Sequence, residues 1–455
     1  MLPVDAETAF AYHERPGALS RLIPPWQHVQ VQSSDRSLEA GSKVTLRLSL
    51  GPLRLHWHAE HTKYDPPHSF EDIQASGPFA AWKHRHLFVS ESGPDRTELR
   101  DEISYELPLG SFGALLGSGK VKKDLEQMFA YRHQVTRDDL QLAKDYDLKP
   151  LKIAVSGSSG LLGKRLVDFL SLLGHQVVSL QRKPVPEGAD AASIAPWSSE
   201  DEARRLEGLD VVIHLAGKSI ASGRWNPRVK EEIRSSRVEL TTELSDKLAR
   251  LDDPPEVFIC ASATGIYGDR HNEELDETSE VGRDFLAGVA TEWEASCRSA
   301  KEAGIRVVHA RFGIILDPKG GALAKMLLPA KLFGGALGNG RQWWAWVSID
   351  DAVGAIYHAI ANQSVSGPMN VVSPEPVTNR EFANRLAKVI GRVALFPAPA
   401  LGLRTALGEM ADALLLASTR AYPRVLEQSG YQFRFMDVES ALKYCLGKNR
   451  LESIE

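Results

Sequence analysis

The chain predicts an α/β protein: a doubly wound parallel sheet, followed by a mostly helical C-terminal region and preceded by a separate α+β unit. Three observations carry this. The stretch 151–163, Leu-Lys-Ile-Ala-Val-Ser-Gly-Ser-Ser-Gly-Leu-Leu-Gly, runs from an apolar strand through a glycine turn into a helix start. Apolar strand segments recur after it at 176–180, 210–217, 257–261 and 306–311 with helical stretches between, which is the alternation of a parallel sheet covered on both faces. Before residue 150, alternating strand patterns follow one another and are closed by a single long amphipathic segment, the order of an α+β unit. The boundaries this implies are 1–148, 149–376 and 377–455.

A chain of 455 residues exceeds one ordinary hydrophobic core, so two or three domains are expected. Its 43% hydrophobic and 25% charged residues are those of a folded globular protein. The net charge of −5 excludes a general basic footprint, so no nucleic-acid partner is expected. Cys260, Cys297 and Cys445 are far apart and fit reduced thiols in a cytoplasmic protein. Met1-Leu2-Pro3-Val4-Asp5 lacks the basic start and apolar core of a secretory signal. No run approaches the roughly 20 apolar residues of a membrane span, so no stable membrane insertion is expected. Oligomeric state is not written in the sequence.

Taken in order, helix-like pieces at 6–15 and 17–22 precede strands at 44–50 and 53–61, which flank the turn Gly51-Pro52. Further strands are expected at 69–75, 82–90 and 97–107. The amphipathic segment 114–140 then places Leu115, Leu125, Met128 and Phe129 on one face. In this order, Gly77-Pro78-Phe79, His84-Arg85-His86-Leu87-Phe88 and Tyr105-Glu106-Leu107-Pro108-Leu109-Gly110 resemble the START-like or polyketide-cyclase-like (SRPBCC) helix-grip family. The resemblance implies a cavity between sheet and helix for an apolar ligand. It also implies an opening strand that is short or absent here, because the first helix begins so early. Nine of the 14 histidines lie before residue 150, and His56/His58 and His84/His86 each put two rings on one strand face. With no carboxylate or cysteine set evident to complete a ligand shell, both pairs read as half-exposed sheet residues and no metal is expected. Trp57 and Trp82 either line the cavity or pack in the core.

The charged stretch 138–150, ending in Pro150, reads as the inter-domain connection. In the turn that follows, Gly157 permits the sharp exit from the strand, Gly160 lets backbone approach a pyrophosphate, and Gly163 packs helix on strand. Ser158, Ser159, Leu161 and Leu162 complete this cradle at the positive end of a helix expected over 161–173 and stopped by Gly174. After the second strand, where an acidic residue would accept from a ribose 2′-OH, stands Gln181-Arg182-Lys183. A guanidinium at Arg182 suits a 2′-phosphate, so NADP(H) is preferred over NAD(H). Leu215, Ala216 and Gly217 end the next strand where the cofactor would pass, and His214 inside that strand reads as a packed ring.

Several motifs occur here in one order: the glycine turn, His214-Leu215-Ala216-Gly217, Ser262-Ala263-Thr264-Gly265-Ile266-Tyr267-Gly268, Arg311-Phe312-Gly313 and Val347-Ser348-Ile349-Asp350-Asp351. Over about 151–446 this order resembles the extended short-chain dehydrogenase/reductases, with their Rossmann sheet. Trp225, Ser236-Arg237-Val238 and the segment 370–379 are similar to an atypical branch, the epimerase family proteins, NAD-dependent epimerase/dehydratase-like. The superfamily's chemistry needs a tyrosine with a lysine four residues on, whose charge lowers the phenol pKa. Alignment on the helix expected over 285–303 puts Leu286 and Ala290 there, and neither can exchange a proton. Ser262, Thr264 and Tyr267 are then the nearest polar groups to a substrate carbonyl, unless their loop only supports the nicotinamide. The resemblance further implies that 338–346 and the helices after 377 shape a substrate lid, which Trp343, Trp344 and Trp346 either line or seal to the sheet. Three readings stand: an NADP(H)-dependent oxidoreductase or epimerase-like enzyme on a small-molecule substrate, a non-catalytic dinucleotide sensor or scaffold, and a lipid-binding carrier.

Overall fold

The computed structural model describes residues 1–449 apart from 52, 92, 94, 109, 185–192 and 222. Pro52 of the expected turn, Leu109 of the expected motif and the side chain of Leu115 thus lie outside the described residues. Two units result, one of Met1–Leu148 with Asp168–Gly174, the other of Lys149–Val167 with His175–Lys448.

In the first unit, α1 (Ala6–Glu14) and α2 (Ala18–Leu22) precede a six-stranded antiparallel meander. Its strands are β1 (Val29–Ser34), β2 (Lys43–Leu50), β3 (Leu53–Asp65), β4 (Ser69–Ser76), β5 (Ala81–Ser90) and β6 (Thr97–Glu106), and α3 (Gly110–Tyr146) follows. Strand β1 was not expected: Val-Gln-Val-Gln-Ser-Ser is a mostly exposed edge with too little apolar surface to stand out from a loop. The opening strand shrinks to one bridge, where the Leu2 amide donates to the Thr97 carbonyl at 2.8 Å.

The stretch 138–150 is not simply a connection, because α3 continues through it to Tyr146 and ends at Asp147, whose φ is 44°. Asp139, fully buried there, accepts from Arg21 Nε and Nη2 at 2.8 Å each and from the Tyr12 hydroxyl at 2.9 Å. A buried fork of this kind has the same composition as a solvated charge run, so sequence could not separate them.

The two histidine pairs also part company. His56 and His58 are exposed on β3, their rings 6.4 Å apart. His84 is only 4% exposed, and His86 is nearly as deep, so the half-exposed reading fails for this second pair. Antiparallel register sets Asp72 of β4 opposite His84, and Asp101 of β6 opposite His86, so all four share one sheet face. Trp57 and Trp82 pack edge to face at 5.0 Å, with Phe79 and Tyr105 against Trp82.

The second unit is built on a seven-stranded parallel sheet of β7 (Lys152–Ser156), β8 (Gln176–Leu180), β9 (Ser193–Ile194), β10 (Val211–His214), β11 (Val257–Ala263), β12 (Arg306–Phe312) and β13 (Gly367–Val371). Its spatial order, β13-β12-β11-β10-β7-β8-β9, reverses direction between β7 and β10. That switch point, at the strands' carboxyl ends, is where open α/β sheets leave a crevice. Ile153–Val155, Val211–Ile213 and Phe258–Cys260 are buried throughout, as expected of parallel strands covered on both faces. Helices α5 (Pro227–Leu248), α6 (Phe285–Ala295) and α7 (Ile349–Ala361) belong to this unit, as does α4 (Leu161–Leu172) as far as Val167. The helix expected over 285–303 is broken after Ala295, and a short turn of helix, Arg298–Glu302, follows. Thr378 and Glu381 form a capping box, the pattern Thr-x-x-Glu, and cap α8 (Asn379–Val389) reciprocally. Among the described residues no helix is long and apolar enough to cross a membrane, and all three cysteines are free and buried.

Candidate functional site

The switch point is tied together by Ser156, the last residue of β7. Its Oγ accepts from the amides of Leu215 at 3.1 Å and Ala216 at 3.2 Å, and lies 2.7 Å from His214 Nδ1. His214 is therefore a packed ring, and burial pulls its imidazole down to about 4. Gly157 turns the chain with φ 70°, and a Cβ there would lie 3.0 Å from the backbone of Leu215 and Ala216. A Cβ on Gly163 would lie 2.1 Å from the Gly157 carbonyl oxygen, so only glycine lets α4 sit on the turn. Gly160 is exposed with Ser159 beside it, and a Cβ there would lie 3.1 Å from the Gly157 carbonyl oxygen. Helix geometry leaves the first amides of α4, at Leu161, Leu162 and Gly163, without intrahelical acceptors, while Ser158 is half-buried in the turn. Free amides, a helix's positive end and an open lip fit a pyrophosphate.

Arg182 stands exposed two residues beyond β8. A residue that sequence reasoning quoted only within a resemblance, Arg237 of α5, lies close to Gly217: a Cβ on Gly217 would be 3.2 Å from its Cζ. The guanidinium stacks over Trp293 at 5.1 Å and donates to the Ile233 carbonyl at 3.0 Å. Among the described residues no carboxylate pairs with it, and burial lowers it to about 10.

The three hydroxyls singled out at and after the end of β11 are all buried. Ser262 Oγ donates to Glu294 Oε1 at 2.7 Å, and Glu294 receives a two-pronged pair from Arg311 at 2.8 Å on each prong. Tyr267, fully buried, donates to Asn370 Oδ1 at 2.8 Å and accepts from Arg311 Nη1 at 3.0 Å. Thr264 Oγ1 makes only a long 3.5 Å contact with the Phe312 carbonyl. The α6 face where the Tyr/Lys pair would stand is apolar: Leu286 lies 3.8 Å from a Cβ built on Gly265, and Ala290 is buried. Leu286 packs with Trp225, Val289, Met410, Leu407 and Leu414.

Trp225 anchors its loop, donating to the Ile220 carbonyl at 2.8 Å and packing edge-on to Phe285. Lys230 pairs with Glu409, and Arg224 Nη1 lies 3.4 Å from the Thr405 carbonyl, so this loop is fastened to the C-terminal helices. Trp344 and Trp346 are buried, and Trp343 lies under the Arg420 guanidinium at 4.4 Å, an arrangement that seals rather than lines. Asp351 is buried near the start of α7, where it accepts from the Arg434 amide at 2.7 Å and the Ser348 hydroxyl at 2.8 Å.

A doubly wound sheet with a glycine cradle at its switch point defines a Rossmann-type dinucleotide-binding domain, here in one chain with a helix-grip-like antiparallel unit. Residues 153–372 match the NAD dependent epimerase/dehydratase family, residues 2–132 the polyketide cyclase/dehydrase and lipid transport family, and residues 398–445 a family described as a domain of unknown function. The epimerase family protein Mb2239 of Mycobacterium bovis is 38% identical over 293 residues, which are 64% of this chain and 96% of that protein. The solved structure of a nucleoside-diphosphate sugar epimerase from Corynebacterium glutamicum matches 99% of this chain and 90% of its own, with TM-score 0.80 and 32% identity. That of human epimerase family protein SDR39U1, solved with NADPH, matches 65% of this chain and 99% of its own, with TM-score 0.60 and 32% identity. The chain belongs to the epimerase family proteins, is similar to SDR39U1, and carries in addition a polyketide-cyclase-like N-terminal unit.

Proposed function

We propose that this chain is an NADP(H)-binding oxidoreductase or epimerase-like enzyme of atypical mechanism, acting on a small-molecule substrate in the cytoplasm. Its dinucleotide-binding part is 149–376, its substrate lid 377–455, and its N-terminal helix-grip unit, 1–148, holds an apolar ligand. The observation that carries the reading is the glycine cradle at the switch point with an exposed Arg182 beyond the neighbouring strand. The NADPH bound to human SDR39U1 supports the same preference, and three free, buried cysteines support a reducing compartment.

NADP(H), when bound, supplies hydride exchange at its nicotinamide. The α4 amides hold the diphosphate, and Arg182 pairs with the 2′-phosphate. Arg237, stacked and with no carboxylate partner among the described residues, offers a second anion contact beside Gly217, to cofactor or substrate. We assign the substrate-facing hydroxyl to Thr264, whose Oγ1 has only the long Phe312 contact. Ser262 and Tyr267, engaged by Glu294, Asn370 and Arg311, act as positioning residues that fix the loop carrying Thr264. The apolar wall of Leu286, Trp225 and Leu407 excludes water.

Arg182→Asp tests the reading. NADPH affinity should fall about tenfold to a hundredfold, the worth of a charge-assisted contact, while NADH affinity changes little; equal losses would sink the assignment. The apolar α6 face at Leu286 and Ala290 favours a second reading, a dinucleotide sensor without turnover. NADPH oxidation across a library of carbonyl compounds separates the two: turnover supports the enzyme, and tight binding with none supports the sensor.

A further inference from the structure

We infer that the N-terminal unit carries a divalent metal site of the zinc class, held by Asp72, His84 and His86 on the inner face of its sheet. The site is independent of the dinucleotide reading and changes the character of a unit otherwise read as an apolar binder.

The register builds it. Asp72 on β4 and His84 on β5 are cross-strand partners, and His86 is the next residue on the same face of β5. One ligand-type atom from each of the three lies within 4.8 Å of the others. Donors bound tetrahedrally at about 2.0–2.2 Å to one ion stand about 3.3–3.6 Å apart, so side-chain shifts on the order of an ångström close the set on an ion. Two imidazoles with a carboxylate favour zinc, iron, cobalt or nickel over magnesium or calcium. Three protein ligands also leave a tetrahedral ion one position for water or a ligand group.

The next ring of groups is arranged to support this. Asp101 Oδ1 lies 2.9 Å from His84 Nε2, which fixes the proton on that nitrogen and leaves Nδ1, 3.3 Å from Asp72, as the lone-pair side. A carboxylate behind a ligating imidazole is the usual device for orienting it. His133 of α3 bonds the other oxygen of Asp101. His86 Nδ1 lies 2.7 Å from Asp101 Oδ1, so the same carboxylate stands behind both rings.

Charge points the same way. Asp72 and Asp101 keep only 17% and 5% of their side chains exposed, and burying two carboxylates is costly unless they are matched. His84 stands between them, 3.3 Å from Asp72 and 2.9 Å from Asp101, and a metal ion on its Nδ1 takes the place of any proton there. A dication touching Asp72 matches the pair directly.

The test uses the full chain, stripped with a chelator and titrated with Zn²⁺ and then Co²⁺. We expect one equivalent of Zn²⁺ bound at micromolar concentration or tighter, unaffected by millimolar Mg²⁺, and visible Co²⁺ bands of a low-coordinate imidazole site. Asp72→Asn and His84→Gln should each lower Zn²⁺ affinity at least about a hundredfold with unchanged circular dichroism. The exposed pair His56→Gln/His58→Gln should leave it intact. Failure of the unmodified chain to take up stoichiometric Zn²⁺, or undiminished affinity in both site variants, would overturn the site. Should the variants misfold, the Co²⁺ spectrum of the unmodified chain decides, and a spectrum of water ligation alone rejects it.

Discussion

Tyr267 shows how much depends on a few ångströms around one residue. Burial pushes its phenol up to about 12 despite the facing Arg311, so at neutral pH it keeps its proton and its two hydrogen bonds. Tyr267→Phe leaves Asn370 and Arg311 with one unmet bond each. It should cost about 1–3 kcal/mol in chemical denaturation, with NADPH affinity within about threefold of the original; an unchanged midpoint would show that the network adds nothing. Asp351 provides a pH signature. Burial raises its carboxyl from 3.8 to about 6, so the folded chain holds that proton more tightly than the unfolded chain does. The associated stability is present below about 4 and is lost as pH rises through about 6. Asp351→Asn cannot titrate, so the stability difference between parent and variant should fall across that window; a flat difference would refute the shift. Gly157, Gly160 and Gly163 were legible in sequence because their work is local to one turn, whereas the partners of Tyr267 come from β12 and β13 and no local pattern announces them.

At the scale of elements, regular apolar periodicity was read well and sparse or charged patterns were not. Strands β7, β8, β10, β11 and β12 and the capping box of α8 follow directly from their residues. Edge strand β1 escaped because its side chains are mostly solvated, and the C-terminal part of α3 was read as a connection because it is charged. That part is fastened instead by Asp139, held by Arg21 and Tyr12. Asp139→Ala leaves a guanidinium buried without its partner and should destabilise the unit by about 3–5 kcal/mol, read as a shifted urea midpoint. A change under about 1 kcal/mol would mean that water reaches Arg21 in the variant, and that α3 is not pinned there.

For the whole molecule, the two proposed sites belong to different units and should leave separate footprints. In hydrogen exchange, NADPH should slow the amides of the β7–α4 turn and the end of β10, and Zn²⁺ those of β4 to β6, because ligand binding stabilises only the openings that release it. Protection by NADPH confined to the N-terminal unit would contradict the assignment of the cradle. The sequence by itself determined the doubly wound sheet, the glycine turn, the absent Tyr/Lys pair and the separate antiparallel unit, since each is a matter of local periodicity or of residues within one turn. Only the tertiary structure decided that Ser262 and Tyr267 point into the core, that Asp139 is buried, and that Asp72, His84, His86 and Asp101 meet on one face. Those outcomes depend on strand register and helix docking, which join residues far apart in the chain through contacts that no single segment encodes.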